Sequence, residues 1–518
     1  MAISDFSKSG PAQPGSDRPG SGPPRPAPAG GGSGFPLKTA LAILVLADAL
    51  LGWRLNMDRG KGLDPAVFAE TFRLRWPHPP APVVPKTPMI QTSGKLPPVS
   101  AVFADDTNTL DPFFAGLWKL EQANLAQGKQ GGVITILHYG DSPTTADLIT
   151  GDVRAQLQSR FGDAGRGYTL IAKPWAWYGH RGVEISDHGW KMRTGVGLMR
   201  ADIYGLGGAA FEGQPGAWSK FRLTESQQTA VNVEYLAKPG GGAFAVEADD
   251  KRLIEQTTST QTSGSEMQTA ASVHVELPPG TKTVSIRPTI GSVTLFGVDF
   301  RRGSSGLLYS SLGLNGATIT VLARVLQPVL WKQELDHAAP ALVIVNYGSN
   351  ESSFGAFVHK QYAGELRLAI QRLRNAAPGA PILVMSPMDR GERSGLDEIK
   401  TMSTIPEIVG IQRQVAAETH CAFFDTYDAM GGDGTMGRWY AASPRLVTAD
   451  LLHPTPQGAN LVAGLFVEQL GLGYNRWKMQ HGIALPAATP AAPKAIAPKA
   501  TSQSKPAAGH IGKKAGKQ

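Results

Sequence analysis

Cysteine is nearly absent: Cys421 is the single one in 518 residues. That excludes an intrachain disulfide and any thiolate metal cluster, and its apolar neighbours (Cys421-Ala-Phe-Phe) make it a core residue. The eleven histidines fall in no ligand spacing, so no metal site is expected; His138, inside an apolar run, reads as a packed group. There is no Gly-X-Y period, sustained heptad or internal repeat, which removes collagen-like, coiled-coil and repeat architectures. Charge is sparse at 18% against 42% apolar residues, so most of the chain can bury a core. At about 100–200 residues per domain the length suggests two or three folded units. The net charge of +8 is not a nucleic-acid-binding face. Residues 487–518 hold six lysines and no acid, which leaves +2 for everything else. The loose glycine pattern Gly205-Leu-Gly-Gly-Ala-Ala210 lacks the strand–helix setting of a dinucleotide loop.

The two ends differ from the middle. Residues 1–36 are Gly, Pro, Ser and Ala with scattered charge and cannot bury enough surface to order themselves. Residues 37–54 are an apolar run ending in Trp53-Arg54. At roughly 17 residues it is at the lower limit for spanning a bilayer as a helix. Arg18, Arg25 and Lys38 precede it, which favours a cytoplasmic N-terminus. Asp48 opposes this reading, because a mid-membrane acid costs on the order of 2.5–3.5 kcal/mol on insertion scales. The expectation is a transmembrane signal-anchor, with a cleaved leader or an ordinary helix as alternatives. Residues 55–104 are Pro-punctuated and read as a spacer; residues 479–518 read as a disordered basic tail.

Two patterns alternate in between. Val133–His138, Leu342–Tyr347, Ile382–Ser386 and Cys421–Asp425 are short apolar runs. Each is followed by a helical pattern: Ala146–Arg160, Tyr362–Arg374, Pro406–Thr419 and Pro456–Leu470. Strands alternating with helices imply a parallel sheet covered on both faces. Another helix is expected over Asp111–Gln127, with Asp111 as N-cap and Pro112 at its first position. Residues 182–302 carry instead short alternating strands separated by Gly, Pro and Asp turns, the pattern of an antiparallel β-sandwich. The expected organisation is therefore an α/β domain in two parts, 105–181 and 303–478, with the sandwich inserted at 182–302.

Three short motifs sit at strand ends, where open α/β sheets place their ligands. Gly140-Asp-Ser142 follows the first strand, so Ser142 opens a helix and its N–H lies among that helix's unpaired donors. Gly348-Ser-Asn350 follows a later strand; an Asn amide can donate to an oxyanion but is also a favoured turn residue. Asp450-Leu-Leu-His453 precedes the last helix, and that spacing lets the carboxylate hold one imidazole nitrogen while the other faces a serine. Each motif taken alone is commonplace.

Together and in this order they resemble the blocks of the SGNH (GDSL-like) hydrolase family. The remaining block, a glycine after the second strand, is matched within Tyr309–Ala317 by Gly316, with Gly313 as fallback. The resemblance implies a three-layer α/β/α sandwich with a flavodoxin-like parallel sheet. It also implies Ser142 as nucleophile, His453 as general base and Asp450 as its orienter. The implied oxyanion hole is the Ser142 N–H, the Gly316 N–H and the Asn350 side chain. Pro143 departs from the family's usual residue but suits the first turn of a helix. Gly151–Arg154, Phe161–Gly167, Tyr347–Glu351 and Asp425–Trp439 are further similar to bacterial peptidoglycan O-acetylesterases of this type, which carry an inserted carbohydrate-binding-like sandwich.

The resemblance thus implies a serine esterase that removes O-acetyl groups from a cell-envelope glycan with no metal or organic cofactor. An O-acetyltransferase using the same triad, or a glycan-binding protein without activity, are the alternatives. Its partners would be an O-acylated polysaccharide or peptidoglycan and, through residues 37–54, the inner membrane, with the catalytic domain in the periplasm. In an extended segment Trp175 and Trp177 would point the same way and could stack on a sugar ring; core packing is the other reading. The insert, which contains none of the catalytic candidates, is expected to stand beside the site mouth and serve substrate choice.

Overall fold

The computed structural model describes residues 101–126, 130–224, 227–260, 268–395 and 398–485. The leader, the apolar run 37–54, nearly all of the spacer and the lysine-rich tail lie outside the described residues. Among the described residues no helix is long and apolar enough to cross a membrane.

The central sheet contains β1 (Phe103–Ala104), β2 (Val133–Gly140), β3 (Gly306–Gly313), β4 (Pro340–Asn346), β5 (Ile382–Met385) and β6 (Ala422–Phe424). Its order is β1-β6-β5-β4-β2-β3. The last five run parallel in the flavodoxin-like order expected. The sheet is mixed rather than wholly parallel, because β1 pairs antiparallel with β6 at one edge. Successive side chains of a strand face opposite ways, and here both faces are apolar. Ile136, Leu342, Ile344, Leu383 and Phe424 enter one core, with the helices Asp111–Leu125, Ile149–Phe161 and Pro456–Gln480. Leu137, Val343, Val345, Val384 and Phe423 enter the other, with the helices Pro328–Ala338, Ala363–Ala376 and Thr404–Glu418. These are the three layers.

Two further antiparallel sheets fill the stretch between β2 and β3. One runs from Lys251–Thr257 through Ala243–Ala248, Thr283–Ile290 and Trp218–Leu223 to Val183–His188. The other runs from Thr269–Glu276 through Ala230–Ala237, Val293–Arg301 and Ala209–Gly213 to Lys191–Thr194. They pack face to face through edge-on ring pairs, Phe221 with Phe300 and Tyr235 with Phe244, both at 5.5 Å. Each buried phenyl contributes about 1.5–3 kcal/mol of transfer free energy.

Several sequence expectations need correction. Gly165–Leu170, assigned to the hydrolase part, pairs with Val293–Arg301 of the sandwich, so a boundary at residue 182 cuts a sheet. Phe103 and Ala104, assigned to the spacer, form β1, and the last helix continues to Gln480. Asp111 is not an N-cap: Leu110 holds that position, and the Asp105 carboxylate accepts the Thr109 and Leu110 N–H groups instead. The helix expected over Ala146–Arg160 starts only at Ile149 and runs to Phe161; a separate single turn, Ser142–Thr145, precedes it, with Asp147 left-handed between them at φ +52°. The sandwich also shares one continuous core with the helix Pro328–Ala338. That contact is sealed by the Gln333 side chain accepting the Ala270 N–H at 2.8 Å. Excising the insert would therefore expose apolar core.

Candidate active site

β2, β3 and β4 are neighbours, and their register sets Gly140 opposite both Gly313 and Asn346. The loops carrying Ser142, Gly316 and Asn350 therefore leave the sheet side by side at its carboxyl edge. Gly313 has no room for a side chain, since a Cβ there would stand 2.3 Å from the Thr145 backbone nitrogen. Gly316 lies in an exposed turn at φ +77°, a conformation that favours glycine. The two glycines thus have different duties: Gly313 lets the Ser142 turn close onto β3, and Gly316 makes the loop.

His453 reaches this edge from the opposite end of the chain. Thr455 caps the last helix by accepting the Gly458 N–H, with Pro456 in its first turn. Just before it, Asp450 Oδ1 accepts the Leu452 and His453 N–H groups at 3.0 Å each. Leu451 is held left-handed at φ +60°, a strained state that persists only where surroundings over-determine it. Asp450 Oδ2 lies 2.7 Å from His453 Nδ1, and His453 Nε2 lies 2.8 Å from Ser142 Oγ. Thr448 Oγ1 donates to Asp450 Oδ1 at 2.6 Å and its N–H donates to the His453 carbonyl at 2.8 Å. Burial raises the Asp450 carboxyl pKa, but the bonds from Thr448, His453 and Leu452 hold it well below the carboxylate range. An ionised Asp450 only accepts, so His453 Nδ1 carries the proton and Nε2 accepts from the serine hydroxyl.

The base of the Ser142 turn is also pinned. Asp147 accepts the Thr150 hydroxyl at 2.6 Å, the Arg181 N–H at 2.8 Å and both terminal nitrogens of the buried Arg154. Burial pushes Asp147 upward, yet Arg154 and His180 hold its carboxyl far below the usual range. Burial pushes Asp141 up to about 7, opposed by Ser349 and His453. His138 is packed as expected, its Nδ1 2.7 Å from the Tyr309 hydroxyl, and burial lowers it to about 4.

Asn350 Nδ2 donates to the Ala317 carbonyl at 2.8 Å, which fixes the amide beside the Gly316 loop. Arg390 Nη1 holds the Asn350 loop through the Ser349 carbonyl at 2.8 Å and the Ser352 and Ser353 hydroxyls. Trp175 and Trp177 are not in an extended segment: the Tyr178 N–H closes a turn onto the Trp175 carbonyl at 3.0 Å. Trp175 packs partly into the core while Trp177 is 60% exposed. The Gly179 N–H reaches the Thr145 carbonyl, so this turn lies against the Ser142 segment. From the sandwich, Val196 lies against Gly316. A cavity of about 230 Å³ lined by Phe103, Asp105, Asp111, Phe114 and Trp477 includes none of these residues. Among the described residues no group of His, Cys, Asp and Glu is arranged to hold a metal ion. Thr448, Glu351 and Arg390 escaped sequence reasoning. Only the first two carried any signal, by lying within two residues of Asp450 and Asn350.

A Ser–His–Asp chain at the carboxyl edge of a largely parallel sheet in an α/β/α sandwich is an arrangement suited to acyl transfer. Residues 295–461 match the GDSL-like lipase/acylhydrolase family. The matched stretch holds Gly316, Asn350, Asp450 and His453 and begins beyond Ser142. Among solved structures, a peptidoglycan O-acetylesterase shares the fold at TM-score 0.60 and 20% identity, covering 72% of this chain and 99% of that one. A family two carbohydrate esterase from Clostridium thermocellum in complex with cellohexaose aligns at TM-score 0.23 and 13% identity, over 56% of this chain and 99% of its own. No curated protein sequence matches the chain.

Proposed function

We propose that the protein is a serine esterase that removes O-acetyl groups from a cell-envelope glycan. The observation that carries this reading is the continuous Ser142–His453–Asp450 chain, with contacts of 2.8 and 2.7 Å. Ser142 Oγ attacks the acetyl carbonyl while His453 Nε2 takes its proton. The negative charge on the carbonyl oxygen is met by the Ser142 and Gly316 N–H groups and the second amide hydrogen of Asn350. Collapse expels the sugar oxygen, which receives the proton from His453, and leaves an acetyl-serine. His453 then deprotonates water, which attacks the acetyl carbonyl; collapse expels the Ser142 oxygen, which takes the proton back from His453, and acetate leaves. Asp450 keeps the imidazole in the accepting tautomer and stabilises the imidazolium.

The likeness in fold to a peptidoglycan O-acetylesterase supports a glycan substrate, and so does Trp177, an exposed ring beside the Ser142 turn. The side chains of His453 and Asp450 are 38% and 52% exposed, so water has access to the base. The apolar run 37–54 supports a membrane-anchored protein whose catalytic domain lies outside the cytoplasm, which a C-terminal topology reporter tests. The decisive assay follows acetate released from an O-acetylated peptidoglycan or polysaccharide, with and without an acceptor sugar. Net transfer to the acceptor would establish an acetyltransferase, and binding without release would establish a glycan-binding protein.

A further inference from the structure

Glu351 follows Asn350 directly and is completely buried, so it cannot touch substrate. Its two carboxyl oxygens serve different loops. Oε1 accepts the Ile319 N–H at 2.7 Å, three residues beyond Gly316 in the loop leaving β3. Oε2 accepts the Gly348 N–H at 3.1 Å, two residues before Asn350 in the loop leaving β4. One side chain therefore spans the two loops that carry oxyanion donors. The Asn350–Ala317 bond at 2.8 Å is a second tie between the same loops, and Arg390 holds the far side of the Asn350 loop through the Ser349 carbonyl.

Burying a carboxyl carries a large desolvation cost, and here it is pushed up to about 8 by burial, with Asp141 adding to the rise. Capping two loop N–H groups is a task that water or a nearer carbonyl can perform. A single side chain reaching both loops does something water cannot: it fixes the distance between them.

We propose that Glu351 is a positioning residue that sets the separation of the Gly316 and Asn350 oxyanion donors and thereby determines kcat. The proposal rests on the esterase reading above. An oxyanion donor acts only if it already stands where charge develops, and a misplacement of about 1 Å costs about 10²-fold in rate. In either protonation state both carboxyl oxygens offer lone pairs to the N–H groups. A glutamine amide nitrogen offers none, so Glu351→Gln keeps the volume but sets Nε2–H₂ against one loop N–H.

The test is a double-mutant cycle in the full-length chain with a small aryl acetate. Expected is a fall in kcat of about 10–100-fold for Glu351→Gln, with KM within about twofold. Added to Asn350→Ala, Glu351→Gln should lower kcat by clearly less than it does in the wild type, because one of the two donors whose separation it sets is already gone. Glu351→Asp, with both oxygens but one methylene less reach, should show the same kind of loss. Wild-type kcat in a folded Glu351→Gln variant overturns the proposal. Losses that multiply with those of Asn350→Ala overturn it as well. Loss of the fold by circular dichroism in both variants would assign Glu351 to stability and equally overturn it. Ser142→Ala separates the two readings: if it stays active the esterase site itself is wrong, whereas if it is dead beside an unaffected Glu351→Gln, only the positioning role falls.

Discussion

Asp450→Asn is the perturbation that interrogates the site most sharply, because it changes one proton and almost no volume. The asparagine carbonyl can keep the bonds from Leu452, His453 N–H and Thr448 that now reach Oδ1. Its NH₂ then replaces Oδ2, 2.7 Å from His453 Nδ1, and a donor there forces Nδ1 to accept. The proton moves to Nε2, which faces Ser142 and can no longer take its hydrogen. In buried triads this wrong tautomer costs about 10⁴ in kcat. Here the two side chains are 38% and 52% exposed, so water can satisfy either nitrogen and part of the productive tautomer survives. The expected loss is about 10²–10³, or about 3–4 kcal/mol of barrier. Asp450→Ala leaves no donor to impose the wrong tautomer and should lose less kcat than Asp450→Asn, although it removes more hydrogen bonds and should unfold at a lower temperature. The assay is kcat and KM on an aryl acetate for both variants, with thermal unfolding alongside. Activity of folded Asp450→Asn within tenfold of wild type, or an alanine variant clearly worse than the asparagine one, would refute the tautomer argument.

Thr448→Val removes the hydroxyl bonds to Asp450 and to the His453 carbonyl; at about 1 kcal/mol net it should lower kcat about fivefold with KM unchanged in steady-state kinetics. Asp147→Asn leaves the buried Arg154 without its counter-ion and should destabilise by about 3–5 kcal/mol in denaturant titration. Because the Asp147 carboxyl is depressed in the fold, its contribution is present above the unfolded pKa of about 3.9 and is lost as pH falls through the lower folded value, so the variant and wild type should converge only in strong acid. His138 is held neutral with its pKa lowered to about 4, so between the unfolded value of about 6.5 and that point the unfolded chain binds the extra proton and acidification destabilises the fold. Relative to wild type, a His138→Gln variant should lose one proton's share of the pH dependence between pH 6.5 and 4 in unfolding titrations, the shares of His180, Asp141 and Glu351 being common to both proteins, and identical slopes would contradict the burial argument. Trp177→Ala should leave the unfolding temperature and aryl acetate turnover unchanged while raising KM for an acetylated polymer; equal KM on both substrates would remove Trp177 from glycan recognition.

The Ser142–His453–Asp450 hydrogen-bonded chain was legible because each of its parts is local. Ser142 sits at a strand-to-helix turn, and Asp450 and His453 are three residues apart, a spacing that one Asx turn closes with bonds to the intervening N–H groups. Thr455-Pro456 announces the helix that follows. The alternation of apolar strands with helical patterns likewise made the layered sheet readable, since both faces of every parallel strand must be buried. The turn at Trp175–Tyr178 was misread because an aromatic pair two residues apart has the same appearance in a strand and in a turn, although Pro174 before it and Gly179 after it are turn residues.

What the tertiary structure alone decided lies in contacts between distant residues. Ser142 and His453 are 311 residues apart, and only the order of the sheet, with β2 between β3 and β4, delivers the serine to the loop edge that the last helix reaches. Glu351 can be read in sequence as a surface acid after a turn; the two N–H groups it accepts exist as partners only once the loops after β3 and β4 lie side by side. The sandwich could be recognised from its alternation, but its fusion with the hydrolase core through the helix Pro328–Ala338 could not. Periodicity reports which face of an element is apolar, and the identity of the surface that covers that face is settled only by packing.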